Sequence, residues 1–239
     1  MPNALLCELH AHSTWSDGEL RVADLVDVYG RGFDVLAITD HVLRTDDSWR
    51  AKSNRALRPE QYRGYLAEVE SEAIRAESEY GLLVVPGLEL TYDALDPRRA
   101  AHVVAVGLHA FVALDDGLES ALAEARDHGA ALIAAHPYAA ADVVGAPRTT
   151  ARFAEESEWA ASVVDRFEVC NRHDFFDWVA KARLPYVATG DFHQLEHLET
   201  WKTLVPAEKA EDALVDYLRS AAPVALTRFR AEPQARRAA

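Results

Sequence analysis

Apolar positions along this chain follow two rhythms. Short apolar runs at Ala4–Leu9, Asp34–Ile38, Leu82–Gly87, His102–Leu108, Ala131–Ala135, Val163–Val169 and Tyr186–Thr189 read as strands. Between most of them, apolar residues recur every three or four positions. That spacing predicts helices over Arg21–Gly30, Pro59–Glu79, Gly117–His128, Thr150–Ala160, Phe175–Ala182 and Glu208–Ser220. Pro59 suits a first helical turn. Alternation of strand and helix implies parallel strands joined by right-handed crossovers. Seven strand-like runs point to a barrel rather than an open sheet, a choice the alternation alone does not make. No repeat or low-complexity linker divides the chain, so residues 1–239 are expected to form one domain, with Arg228–Ala239 as a flexible tail.

Composition narrows the functional classes. The 239 residues are 49% hydrophobic, enough for one sizeable core. A net charge of −14 argues against non-specific nucleic-acid binding, which needs a basic surface. It leaves room for a small anionic substrate, because a bound metal supplies local positive charge. The two cysteines, Cys7 and Cys170, lie in no CxxC spacing and read as buried thiols in a reducing compartment. They argue against a cysteine-based zinc site. Met1–Ala4 does not resemble a signal peptide. No apolar run approaches the ~18 residues of a membrane span. The run near 130–141 is broken by His136 and Pro137. These features predict a soluble, cytoplasmic protein with no membrane partner.

The chemistry concentrates where strands end. His10 and His12 follow the first strand-like run two positions apart, so both imidazoles face one side of an extended segment. Asp17 follows in the next loop. Asp40 and His41 follow the second run, Glu89 the third, His136 the fifth, and Asp191 and His193 the last. His102 is the exception, at the start of a run. In parallel α/β folds, functional groups gather beyond the carboxyl ends of the strands. Packing this many histidines and carboxylates together without a cation is costly, so the pattern predicts a multinuclear metal site.

The motifs His10-Ala11-His12 with Ser16-Asp17-Gly18, Thr39-Asp40-His41, Gly87-Leu88-Glu89, His102-Val103-Val104, Ala135-His136-Pro137 and Gly190-Asp191-Phe192-His193 resemble, in order, those of the PHP superfamily of polymerase-associated and histidinol-phosphatase phosphoesterases. The resemblance implies an α/β fold, a distorted seven-stranded (β/α)7 TIM-like barrel. It implies two or three divalent metal ions at the mouth: one held by His10, His12, Glu89 and Asp191, one by Glu89, His102 and His136, and one by Asp17, His41 and His193. Some members have histidine where this chain has Asp17. The oxygen donor there favours manganese or iron over zinc, leaving the choice among the three open.

The reaction expected from such a centre is hydrolysis of a small-molecule phosphate monoester by metal-bound hydroxide. The substrate would be a nucleotide, a histidinol phosphate-like compound or a sugar phosphate. Asp191, His193 or a metal-bound water would protonate the leaving group. Arg44, Arg148 and Arg172 are candidates to grip phosphate. A phosphodiesterase or nuclease, a hydrolase of a non-phosphate bond, and a non-enzymatic metal-binding module are the competing readings. Asp40 is expected to orient a neighbouring ligand, with a helix cap as the competing role. His109 and His128 read as structural or surface groups, His173 and His197 lie near mouth loops, and Trp15, Trp49 and Trp178 read as packing residues.

Overall fold

The computed structural model describes residues 4–47, 56–139 and 150–231. The strands are β1 (Leu5–Glu8), β2 (Val35–Ile38), β3 (His41–Val42), β4 (Leu83–Tyr92), β5 (Ala101–Val106), β6 (Ala131–Ala135), β7 (Arg166–Asn171), β8 (Asp174–Phe175), β9 (Tyr186–Thr189), β10 (Trp201–Val205) and β11 (Ala225–Arg228). The helices are α1 (Val22–Tyr29), α2 (Pro59–Tyr80), α3 (Leu118–Asp127), α4 (Arg152–Glu155), α5 (Ser157–Val163), α6 (Asp177–Lys181) and α7 (Glu211–Arg219). Pro59 does open α2, and Gly81 closes it in a left-handed conformation that costs glycine no Cβ clash.

All eleven strands belong to one mixed, curled sheet in the order β11-β10-β1-β2-β4-β5-β6-β7-β8, with β3 on β4 and β9 on β7. Beyond β1 and β9 the chain makes one more contact, a parallel bridge between Ala11 and Phe192. His12 N donates to Phe192 O at 2.8 Å and Phe192 N to His10 O at 3.0 Å. The curl thereby brings the first strand's exit beside the last crossover strand's exit.

Side-chain alternation splits the core between the two faces of the sheet. On β2, Leu36 and Ile38 pack with α1, α2 and α3 through Leu25, Tyr65, Val69 and Leu118. Val35 and Ala37 pack with α7 through Leu214 and Leu218. Strands buried on both faces explain why the runs are continuously apolar rather than alternating.

The sheet corrects the all-parallel expectation. β5 runs antiparallel to both β4 and β6. No helix lies between β4 and β5, only a turn of 3-10 helix at Pro97–Arg99, and so short a connection cannot return a strand in parallel. This reversal explains His102: the start of an antiparallel strand lies at the same end of the sheet as its neighbours' exits. β4 also runs past Gly87, so Glu89 lies inside a strand rather than after one. The expected helix over Phe175–Ala182 is shorter, because Asp174 and Phe175 pair back on β7 as a hairpin. Thr150–Ala160 holds two short helices rather than one. The expected tail begins too early: Arg228 closes β11, and the Phe229 ring packs 4.5 Å from that of Phe33. Residues 232–239 lie outside the described residues. Cys7 and Cys170 are free and buried, as expected. Among the described residues, no helix is long and apolar enough to cross a membrane.

Candidate metal centre

The fold delivers the histidines and carboxylates to one place by register. His41 on β3 sits opposite Glu89 on β4. His102 on β5 sits opposite Thr91 on one side and Ala135 on the other, next to His136. The Ala11–Phe192 bridge sets His10 and His12 against Asp191 and His193.

Three groups result, each with ligand atoms within 4.8 Å of one another: His12, Asp17, His41 and His193; His10, His12 and Glu89; and Glu89, His102 and His136. Glu89 belongs to two groups, with Oε2 3.4 Å from both His10 Nε2 and His12 Nε2, and Oε1 3.1 Å from His102 Nδ1. Asp191 Oδ1 lies 3.6 Å from His10 Nε2 and 3.5 Å from His12 Nε2. His12 stands between two groups, a double membership that the sequence motifs do not reveal.

The Asp17 loop is shaped by Asp40, which accepts hydrogen bonds from Ser13 N and Oγ and from Ser16 N and Oγ. Asp40 therefore orients the loop carrying Asp17 rather than capping a helix. A Cβ on Gly18 would lie 2.1 Å from His12 O, so only glycine permits that return. At the other arm, a Cβ on Gly190 would lie 2.2 Å from Lys202 Nζ and 2.3 Å from Glu8 Oε2. His136, Arg172 and Asp191 adopt left-handed backbone angles, with φ of 30°, 50° and 42°. Such conformations in residues other than glycine cost about 1–3 kcal/mol each and persist where the surroundings impose them.

Electrostatics match the geometry. Burial opposes charge on His10, His12, His41, Glu89 and Asp191, and for all but His12 the neighbours outweigh it. Asp191, Glu89 and Glu168 hold a proton on His10 well above the usual histidine range. Glu89 and Asp17 do the same for His41. His12, buried beside His193 and His41, is pushed well below that range. Glu89 and Asp191 are driven below the usual carboxylate range by the histidines around them, against the effect of burial.

Among the described residues, the buried side-chain polar atoms without a hydrogen-bond partner are Arg44 Nε and atoms of five others: His10, His12, Asp17, Glu89 and His102. Buried polar atoms are nearly always partnered, and an ion is one of the few explanations for a cluster of exceptions. The donors are imidazole nitrogen and carboxylate oxygen with no thiolate, a set that suits divalent zinc, manganese or iron. The residues fit a metal centre.

A cavity of about 190 Å³ opens over the cluster. Its lining includes Asp17, His41, His102, His136, Asp191 and His193, together with Asp93, Tyr138, Asn171, Arg172 and Asp174. Arg172 donates through Nε to Asp191 O at 3.0 Å and reaches Asp191 Oδ2 with Nη2 at 3.0 Å. Arg44 is outside the lining. It lies over the Tyr92 ring at 4.4 Å and donates to Asp93 O. Arg148 and Trp49 fall outside the described residues. Trp15 and Trp178 pack against the core, as expected. His109 pairs with Glu211 on the surface, and His128 and His173 are exposed. His197 accepts from His193 N at 3.1 Å.

Sequence reasoning missed the groups that hold the ligands. Glu168, fully buried on β7, contacts His10 Nδ1 at 2.9 Å. Asp93 contacts His102 Nε2 at 3.0 Å. Glu8 and Lys202 form a buried pair. For Glu8 the available signal was an acid inside an otherwise apolar strand run, whereas Glu168 shares its run with Asp165 and Arg166 and carries no such mark.

No protein-family model matches the sequence, and no curated protein does. Solved structures do resemble the fold. A two-domain protein from Bacteroides vulgatus, containing a predicted PHP-like metal-dependent phosphoesterase, superposes with a TM-score of 0.65 at 21% identity over 95% of this chain. The chain spans 65% of that protein. A protein from Bifidobacterium adolescentis described as a metal-dependent phosphoesterase gives 0.51 at 15% identity, over 81% of this chain and 90% of its own. An amidohydrolase from Chromobacterium violaceum with bound sulfate gives 0.52 at 18%, over 78% and 87%. These likenesses show the fold, a mixed α/β architecture shared with those structures.

Proposed function

We propose that this protein is a metal-dependent hydrolase that cleaves a small-molecule phosphate monoester. The observation that carries the reading is the cluster of buried, unpartnered nitrogen and oxygen donors on His10, His12, Asp17, Glu89 and His102, of which Asp17 and His102 line an open cavity. The fold shared with phosphoesterase structures supports it. In the same reading, β1, β2, β4, β5, β6, β7 and β9, joined by the Ala11–Phe192 bridge, form the distorted seven-stranded barrel. The metal ligands are His10, His12, Asp17, His41, Glu89, His102, His136, Asp191 and His193.

Two or three bound divalent ions would neutralise phosphoryl charge and lower the pKa of a nucleophilic water. The protein groups divide the remaining work. Arg172 commits Nε and Nη2 to Asp191, leaving its Nη1 edge for a phosphoryl oxygen at the cavity wall. Burial disfavours charge on Asp191, but His10, His12, His193 and Arg172 hold it ionised, which suits a ligand and not a proton donor. His193, the other residue assigned to catalysis, stands at the cavity wall, and the proton for the leaving alkoxide would come from it or from a water on the ions. Tyr138 donates to Asp174 at 2.6 Å across the cavity wall and gives the leaving group a polar surface.

The deciding experiment is phosphate release from a panel of monoesters and diesters by protein reconstituted separately with manganese, zinc and iron, with Asp191→Ala as control. Release from one monoester class, abolished in the control, is the expected result. The amidohydrolase likeness favours a second reading, hydrolysis of a non-phosphate bond. Stoichiometric metal with no phosphate release, and turnover of an amide or lactone, would establish that reading instead.

A further inference from the structure

The two chain segments that carry His10, His12, Asp191 and His193 meet over one fully buried carboxylate, Glu8, which ends the strand leading into His10. Glu8 Oε1 accepts from Gly190 N at 2.9 Å and from His10 N at 3.2 Å. Glu8 Oε2 accepts from Tyr29 OH at 3.1 Å and from Lys202 Nζ. Lys202 is itself fully buried and donates onward to Thr200 Oγ1 at 2.9 Å. The four donors come from the segment after β1, from α1, from β10 and from the turn after β9, so the carboxylate at the end of β1 is a junction of these pieces of chain.

The placement is tight as well as central. Gly190 has no room for a Cβ because the Glu8–Lys202 pair fills the space beneath it. The next residue, Asp191, then turns through a φ of 42° to aim its carboxylate at His10 and His12. The backbone bridge of Ala11 and Phe192 joins the two arms further out, and Glu8 adds the acceptor that ties Gly190 N and His10 N beneath it. A buried ion pair is a weak source of net stability, because desolvation offsets its attraction. Its retention here calls for another reason.

We propose that Glu8 is a positioning residue of the metal centre: by accepting from Gly190 N and His10 N together it fixes the Asp191 arm against the His10 arm, and Lys202 fixes the orientation of Glu8. The inference rests on the metal-centre reading above. Its content is that the acceptor matters for metal affinity, and the charge matters only for orienting the acceptor.

Two charge-neutral double variants separate these parts. Glu8→Gln with Lys202→Met keeps an oxygen acceptor for both amides and lets the new amide NH2 donate to the Tyr29 hydroxyl. Glu8→Leu with Lys202→Met removes the acceptor. Neither leaves an unpaired buried charge, the lesion most prone to unfold the chain. Mn2+ binding to metal-stripped protein is read from the free-ion paramagnetic resonance signal, with circular dichroism to verify folding. The Gln/Met variant is expected to bind within about threefold of the parent, and the Leu/Met variant about 10–100-fold more weakly. Equal affinity in the two variants would overturn the inference, as would failure of both to fold, which would make the pair a core element only. A parent protein that binds no Mn2+, Zn2+ or Fe2+ would instead overturn the metal-centre reading.

Discussion

Glu168 Oε1 lies 2.9 Å from Nδ1 of His10, and the same carboxylate also takes Thr189 Oγ1 at 2.6 Å, Asn171 Nδ2 at 2.7 Å and His136 N at 2.6 Å. One buried acid thus turns His10 Nε2 toward Glu89 and Asp191 and anchors the backbone of His136. Carboxylates in this relation to a ligating histidine fix its ring and raise its basicity. Glu168→Gln is expected to weaken metal binding about 10–100-fold. Chelator competition on the folded variant measures it, and parental affinity would remove Glu168 from the site.

Gly190→Ala tests how closely the Asp191 arm is packed. The added methyl would meet Lys202 Nζ at 2.2 Å, and both it and Glu8 are buried with no space to retreat. Overpacking of this kind costs about 1–3 kcal/mol. Urea denaturation should show a lower midpoint with unchanged slope. A midpoint equal to the parent's would mean that the turn relaxes freely.

Acidity supplies a third test through His102. Burial lowers its pKa, but hydrogen bonds to Asp93 and Glu89 outweigh this and raise it to about 9. A histidine raised in this way stabilises the metal-free fold fully below its unfolded pKa of about 6.5, and loses that contribution as pH rises through the folded value. Metal-free protein should therefore lose stability between about pH 6.5 and pH 9. Metal must displace the same proton, so the melting-temperature gain on adding Mn2+ should grow over that interval. Parallel trends for the two forms in a thermal-shift series would contradict the assignment.

Arg172 is tied to Asp191 through two nitrogens, a geometry that a lysine ammonium cannot reproduce. Arg172→Lys and Arg172→Ala are both expected to raise KM for a phosphate substrate and to lower bound metal. Steady-state kinetics with metal analysis would show it. A variant with parental KM and full metal content would leave Arg172 without a role at the mouth.

Much of this arrangement was legible in the chain because metal ligands are rare residue types at recognisable spacings. His10-Ala11-His12 and Asp191-Phe192-His193 sit where extended runs stop, and period-2 geometry alone places their side chains together. The same logic failed for β5, because an apolar run carries no sign of direction. Only the short stretch between Tyr92 and Ala101 hinted at the reversal that brings His102 to the mouth. Lys202 was opaque for a different reason. Its strand, Trp201–Val205, pairs antiparallel with β1, and nothing local marks a lysine that will be buried against a glutamate nearly two hundred positions away. Arg172 was visible as a charge near the site, but its partner was not, because pairing with Asp191 depends on left-handed backbone at both residues.

The Ala11–Phe192 bridge has a consequence for the order in which the molecule can be built. The group of His10, His12 and Glu89 and the group of Glu89, His102 and His136 draw only on the chain up to residue 136. Asp191 and His193 reach them through a bridge whose second half, Phe192, is made long after its first, Ala11. During synthesis, at about 5–20 residues per second, roughly ten to forty seconds separate the emergence of the first histidines from that of the segment that completes their surroundings. In that interval the nascent chain carries a partial, exposed set of metal donors. On the metal-centre reading, faithful loading would wait on that bridge, and an ion captured earlier would meet fewer ligands than the finished protein offers.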